Sequence, residues 1–470
     1  MTELTAPAKF KRFFTLLRQA VAGSEQDYTQ GSIRRAVFLL AIPMIMEMIM
    51  ESVFAVVDIF FVGKLGNEAV ATVGLTESVL SLVYSIAIGL SMAATALVAR
   101  RVGEKNLQDA ALAGIQTILF AIVLSIIISI VGMTWAQSIL HLMGASDRMI
   151  AKNIYYTKII FGGNIVIMLL FLINGIFRGA GDASIAMRSL WIGNICNIIL
   201  CPLLIYGLGP IPALGLKGAA IATTVGRGIG VLYQLYRLFI KRGILHFYIS
   251  QLKPHKELLL QIINIGGTGT IQFLVSSASW VFLARLVANF HEAAMAGYQV
   301  AIRLLIFFLL PAWGLSNAAA TLTGQNLGAG RPDRAEESVW VTTFYNVIYM
   351  LSVSLFFFLF GEPIINFMNS DVQARRYALQ ALHIISLGYV FFGIEMVTIN
   401  AFNGAGDTRT PTIINLVGFW LFQIPLAWVL SQYYIREPKA IFIAIVASEF
   451  VTALLSFYLF KKGGWKTVKV

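Results

Sequence analysis

The sequence predicts an all-α membrane protein with twelve transmembrane helices in two pseudo-twofold-related six-helix lobes around a central cavity. Three observations predict it. Apolar runs of about 20 residues, the length a helix needs to cross a bilayer, recur along nearly the whole chain. Only 12% of residues are charged while 58% are hydrophobic, about half the charge of an ordinary soluble domain. Two separated motifs also repeat at one fixed spacing.

The apolar runs imply helices, because inside lipid every backbone polar group must be paired within the protein. With Gly, Pro and charge clusters as punctuation, the first six spans fall approximately at 36–62, 66–99, 109–132, 152–177, 187–207 and 217–240. The second six fall approximately at 257–288, 294–325, 336–361, 376–402, 411–432 and 440–461. Residues 1–35 form a cytoplasmic segment whose stretch from Lys9 to Arg18 is basic and aromatic. It suits either a short amphipathic helix on the membrane surface or a solvated tail. The first lobe is expected at 36–240, a basic linker with Lys241, Arg242, Lys253, Pro254, His255 and Lys256 at 241–256, and the second lobe at 257–470.

The repeat is legible by eye. GLSMAATALVARRVG at Gly89–Gly103 returns as GLSNAAATLTGQNLG at Gly314–Gly328, and FRGAGD at Phe177–Asp182 returns as FNGAGD at Phe402–Asp407. Both are displaced by 225 residues. Six spans per half give the halves the same orientation, with an axis along the membrane normal and a cavity between them. That plan suits alternating access.

The net charge of +12 is not a nucleic-acid signal, since Lys and Arg gather at one set of helix ends, as the positive-inside rule predicts. Both termini are therefore expected in the cytoplasm, with the chain multi-pass in the cytoplasmic (inner) membrane. Cys196 and Cys201, five positions apart in one helix, suit neither a disulfide nor a metal site. No nucleophile–base cluster suggests an enzyme. No Walker A motif is present, and the glycine run at 226–230 reads as close helix packing. No cofactor or structural metal is expected.

Acids inside lipid are costly, and each is a functional candidate. Glu47, Glu51 and Asp58 share one stripe of the first span, within about 40° at 100° per residue. They must face the lobe interior or a wet cavity. Glu77 starts a polar row with Ser81, Tyr84 and Ser85 and is read as facing either the first-span acids or a hydroxyl. Glu395 is read as lining the cavity, and Glu449 as a packing residue. Met46, Met50 and Phe54 are further cavity candidates, their soft and aromatic surfaces suiting flat cations. Asp182 and Asp407 sit in GAGD turns, where Asp caps the next helix or meets Arg178 at an inner gate.

The stretch VDIFFVGKLGNEAVATVGL at Val57–Leu75, the GLSMAATALVARRVGEKN segment, RGAGD, NGAGDTRTP, NIILCPLLIYG and GAAIAT together resemble the multidrug-and-toxin extrusion family. The likeness runs in order from about residue 33 to the C-terminus. It implies a monomer that exports small, often cationic organic compounds in exchange for H⁺ or Na⁺. A lipid-linked sugar flippase of the wider superfamily is the alternative, but it needs a cationic cavity. By the resemblance, Asp58 is the acid of the first-lobe cation site, Asn197 the helix-5 Asn and Thr223 the helix-6 Thr. The family's helix-5 Asp is Cys201 here. Sulfur is a poor ligand for a hard cation, so H⁺ coupling is favoured. Na⁺ stays open, at Asp58, Asn197 and Thr223, if Glu51 or Glu47 supplies the missing oxygen.

Overall fold

A computed structural model describes residues 6–470, apart from 24–25, 208, 241–242, 244, 248 and 369–370. The side chains of 6–13 and 249–250 also lie outside it. Lys241 and Arg242 of the linker, and the basic and aromatic side chains from Lys9 to Phe13, therefore lie outside the described residues.

Among the described residues the protein is helical, without strands. After α1 (Ala6–Ala22), the first lobe holds α2 (Ile33–Gly63), α3 (Asn67–Gly103), α4 (Leu107–Thr134), a short α5 (Ala136–Leu142), the pair α6 (Asp147–Gly162) and α7 (Asn164–Ala180), α8 (Ala183–Tyr206) and α9 (Leu216–Phe239). The second holds α10 (Lys256–Ala288), α11 (Glu292–Gly328), α12 (Pro332–Met368), the pair α13 (Val372–Leu387) and α14 (Tyr389–Ala405), the line from α15 (Arg409–Asn415) through α16 (Ile424–Val429), and α17 (Lys439–Lys462). The line through α16 contains wide π-helical turns at Leu416–Gln423 and Leu430–Tyr434. Pro425 lies between them, removing a backbone donor from the helical ladder.

Among the described residues, ten helices are long and apolar enough to cross a membrane, and the α13–α14 pair makes an eleventh span bent by 53°. The remaining helix, α9, is diluted by Arg227 and by Gly226, Gly228 and Gly230. Those glycines let it lie against α8: a Cβ at Gly226 would stand 2.7 Å from the Gly193 oxygen, and one at Gly230 would stand 2.7 Å from that of Ser189. The fourth and tenth spans are each broken, at Gly163 and Gly388, which occupy equivalent positions in the repeat.

Each lobe has its own apolar core. One is centred on α3, α4, α7 and α9, the other on α11, α12, α13 and α17. The first halves of α2 and α10 cross over. Val37, Leu40 and Met44 pack on Leu315, Ala318 and Leu322 of the second lobe, while Leu258, Ile262 and Ile265 join the first lobe's core.

The lobes meet at the end of the bundle that carries residues 28–31 and 465–470. There α3 and α11 cross through a matched pair of glycines. A Cβ on Gly103 would fall 2.0 Å from the Gln325 oxygen, and one on Gly328 would fall 2.1 Å from that of Arg100. Cross-lobe hydrogen bonds cluster at the same end. The Thr321 hydroxyl and the Gln325 amide donate to the Arg178 and Gly179 carbonyls at 3.0 and 2.9 Å.

Two terminal segments span this seam. Arg331, just before α12, and Arg334 within it donate to the carbonyls of Tyr28, Thr29, Gln30 and Gly31 at 2.7–3.2 Å. Arg100 and Arg101 of α3 donate to those of Val468 and Val470 at 2.8 and 3.3 Å. Trp465, fully buried, anchors the second segment. Lys105 Nζ also meets Asp27 at 2.7 Å. Burial alone would raise the Asp27 pKa, but hydrogen bonds from Lys105 and Thr29 outweigh it and hold the carboxyl at about 2. The far halves of the lobes share no hydrogen bond among the described residues.

Candidate functional site: an acidic first lobe beside a central cavity

The three acids of α2 turn into the first lobe and toward the seam, and two of them meet arginines. Glu47 is only 2% exposed. Its Oε1 accepts from Asn174 Nδ2 at 2.9 Å, with Arg178 Nη1 at 4.0 Å. One turn on, Glu51 Oε1 accepts from Arg227 Nη2 at 3.0 Å. Arg227 Nη1 donates to the Tyr84 hydroxyl at 2.8 Å, and its guanidinium lies over the Phe54 ring, 5.0 Å from the centroid. Burying a guanidinium in lipid-spanning structure requires such pairing. The Oε2 atoms of both Glu47 and Glu51 are buried without a partner.

Asp58 has a different neighbourhood. Its Oδ1 faces Cys201 Sγ at 3.8 Å, while Asn197 Nδ2 donates to Thr223 Oγ1 at 3.1 Å beside it. The structure thus brings together Asp58 with Cys201 and Asn197 with Thr223; no hydrogen bond joins the two pairs among the described residues. The Asn197 Oδ1 is buried and unpartnered. Glu77 is exposed on α3, within electrostatic reach of Asp58 and Arg227.

Between the lobes lies a cavity of about 310 Å³. Glu47, Glu51, Tyr84, Asn174 and Arg178 line the first-lobe wall, and Phe273, Trp313, Asn317, Asn400 and Asn403 the second. The two walls are related by the repeat but differ in charge. The 225-residue offset carries Glu47 to Gln272 and Arg178 to Asn403, so amides stand where the first lobe has an acid and a base.

Several expectations are corrected. Arg178 does not pair with Asp182; it belongs to the last turn of α7 and reaches into the cavity. Asp182 instead accepts from the Ser184 hydroxyl at 2.6 Å, and Asp407 caps α15 through Thr410 N at 3.1 Å. Met46, Met50 and Phe54 do not line the cavity; Met48 and Met92 do. For the methionines the reason is helical phase, since Met46 and Met50 lie on the side of α2 that meets α8, where their carbonyls accept from Trp191 and Asn194; Phe54 shares the phase of the acids but is buried beneath Arg227. Glu395 also misses the cavity. It is buried between α14 and α17, beside Glu449. Sequence reasoning missed Arg227, although a base among the glycines of an apolar span was the available signal.

Two lobes of equivalent helices, closed at one end around a cavity that holds charged and amide side chains among apolar ones, define a membrane transporter. The MatE family model matches residues 43–203 and again 269–429, one match per lobe, and the chain belongs to that family of multidrug-and-toxin extrusion transporters. It is 26% identical over 439 residues to a probable multidrug resistance protein NorM of Thermotoga maritima, covering 92% of this chain and 93% of that protein. It is 24% identical over 427 residues to an FAD transporter of Shewanella oneidensis, covering 91% and 94%. Among solved structures, a MOP-superfamily transporter from Pyrococcus furiosus, described as having a binding pocket of reversed polarity, superposes with a TM-score of 0.88 at 25% identity, covering 94% of this chain and 98% of that one. An outward-facing MATE transporter superposes with a TM-score of 0.87 at 25% identity, covering 93% and 96%.

Proposed function

We propose that this protein is a secondary antiporter that exports small amphipathic organic compounds through the central cavity in exchange for H⁺. It would act as a monomer in the inner membrane, with both termini cytoplasmic. The closed terminal end is then the cytoplasmic side, and the state described faces outward. Export is supported by the relatives, several of which are named for multidrug resistance or export.

The observation that carries H⁺ coupling is the placing of Arg227. A bound Na⁺ needs several oxygen ligands. Here the Glu51 carboxylate already has a tethered cation, and the position expected to supply a second carboxylate to Asp58 holds the Cys201 thiol. One carboxyl is enough to carry a proton. In this reading Asp58 takes up H⁺ from the outer side, its hold on the neighbouring charges weakens, and the first lobe rearranges.

The sequence expectation of cationic cargo rested on the family resemblance and on soft and aromatic cavity surfaces. Arg178 and Arg227 oppose Glu47 and Glu51, so the acids of α2 add no surplus negative charge in its favour. The flippase alternative gains little, because neither arginine adds uncompensated positive charge.

Reconstituted vesicles given either a proton or a sodium gradient test the reading, with ethidium and riboflavin as probes. Movement of a probe is expected under the proton gradient alone, and Asp58→Asn should abolish it. Cys201→Asp, which restores a second carboxylate, should make transport respond to Na⁺. Movement under sodium alone, or an unimpaired Asp58→Asn variant, would overturn the proposal.

A further inference from the structure

We infer that Glu77 of α3 and Arg303 of α11 are the two halves of an outer gate, an ion pair that forms between the lobes when their far ends close. This goes beyond the proposed antiport and rests on its reading of alternating access, to which it adds the contact that seals the opposite state.

The register comes from the closed end. There α3 and α11 run side by side in the same direction, and a Cβ on Gly103, Gly324 or Gly328 would fall against Gln325, Ala99 or Arg100. Those pairs are 222, 225 and 228 residues apart, so a residue of α3 meets α11 within three positions of its repeat mate. Lobes related by an axis along the membrane normal keep such mates at one height as they rock. The same rule then governs the far ends once they meet. Adding 225 to Glu77 gives 302, and the window 299–305 holds one charged residue, Arg303. In reverse, the window for Arg303 is 75–81, whose one charged residue is Glu77. Their heights agree as well. Glu77 lies 26 residues before Gly103 and Arg303 lies 25 before Gly328, or about 39 and 38 Å along the helices.

Both side chains are unspent while the far ends stand apart. Each is exposed, and among the described residues neither makes an ion pair or a side-chain hydrogen bond. The charges that reach Glu77 are Asp58 and Arg227 of its own lobe, and Arg227 is already held by Glu51 and Tyr84.

Both residues also border the cleft. Ser81 and Tyr84, one and two turns on from Glu77, line the central cavity. Gln299 and Ile306, a turn either side of Arg303, line a second-lobe pocket that shares Leu310 and Trp313 with that cavity. A charge on a spanning helix is costly toward lipid, and an open, wet cleft relieves that cost. Closing the far end expels the water, and a charge left there then needs a partner. Opposite signs at one height supply it. The pair favours the inward-facing state, and outward opening must break it.

Cross-linking in the full chain tests this. In membranes treated with copper phenanthroline, Glu77→Cys combined with Arg303→Cys should form a disulfide. Either change alone, which reports the background from Cys196 and Cys201, should not. Nor should Glu77→Cys combined with Phe307→Cys, one turn out of register. A functional readout comes from charge reversal. Arg303→Glu sets like charges face to face at the closed gate and should slow proton-driven probe movement about tenfold or more. Adding Glu77→Gln to it removes the repulsion and should restore most of the rate, with melting showing that both variants are folded. No disulfide between 77 and 303, an equal yield between 77 and 307, or a double variant as slow as Arg303→Glu alone would overturn the inference. The disulfide needs neither ion gradient nor cargo. Its absence in a chain whose parent moves probes under the proton gradient removes the gate and leaves antiport standing.

Discussion

Arg227 and Glu51 form an ion pair at 3.0 Å inside the first lobe, with the arginine side chain 5% exposed and the glutamate 25%. The pair joins α9 to α2, the helix that carries Asp58. Any movement of α2 that follows titration at Asp58 must carry this bond or break it.

The cost of losing one partner follows from that burial. Arg227→Gln leaves Glu51 without its counter-charge and should destabilise the protein by about 3 kcal/mol. Glu51→Gln in the same chain should recover much of the loss, because two neutral amides replace an orphaned charge. Melting of the single and double variants in detergent measures this; equal melting of Arg227→Gln and the double variant would show that the pair is not coupled.

A second expectation concerns the crossing of α3 and α11. Gly103 and Gly328 are repeat mates, and each admits the backbone of the opposite lobe where a Cβ would sit 2.0–2.1 Å from a carbonyl oxygen. Gly328→Val should prevent closure at the terminal end while leaving each lobe folded. A cysteine placed at Asn317 should then react with an impermeant thiol reagent from the terminal side, where in the parent it is shielded. Unchanged reactivity would place the gate elsewhere.

The contact between Asp27 and Lys105 supplies a pH expectation. The folded carboxyl lies near 2, below its ordinary value of 3.8. Its stabilisation is therefore complete above about pH 4 and is lost as pH falls through 2. Both groups are substantially solvent-exposed, so after screening the pair contributes about 0.5 kcal/mol at most. Asp27→Asn should lower melting slightly and equally at pH 5 and pH 8, and the difference from the parent should shrink below pH 4 and disappear as pH falls through about 2.

Much of the architecture was legible in the sequence because lipid leaves a helix few alternatives. The α2 stripe shows why: Glu47, Glu51 and Asp58 can share one face only at helical spacing, and that face cannot meet acyl chains. Arg178 and Phe54 show where the reading stopped. Sequence position put Arg178 beside a turn, but the long side chain reaches back to Glu47. Phe54 has the phase of the acids, yet Arg227 from a helix some 170 residues away covers it. Periodicity reports which face a residue occupies on its own helix; what fills the space opposite depends on tertiary contacts, which a single helix does not encode. The glycine breaks at Gly163 and Gly388 escaped notice because flanking apolar residues continue the pattern through them.

At the seam, the arginines of α3 and of the start of α12, with Arg331 just before it, grip main-chain oxygens, which every residue type possesses. Replacing side chains one at a time along 28–31 or 468–470 leaves those acceptors in place and should be nearly silent. Deleting or inserting a single residue there shifts the whole ladder of carbonyls past the guanidinium forks. These stretches are thus read by their length and path rather than by their letters, and an alanine scan would overlook what a one-residue deletion exposes.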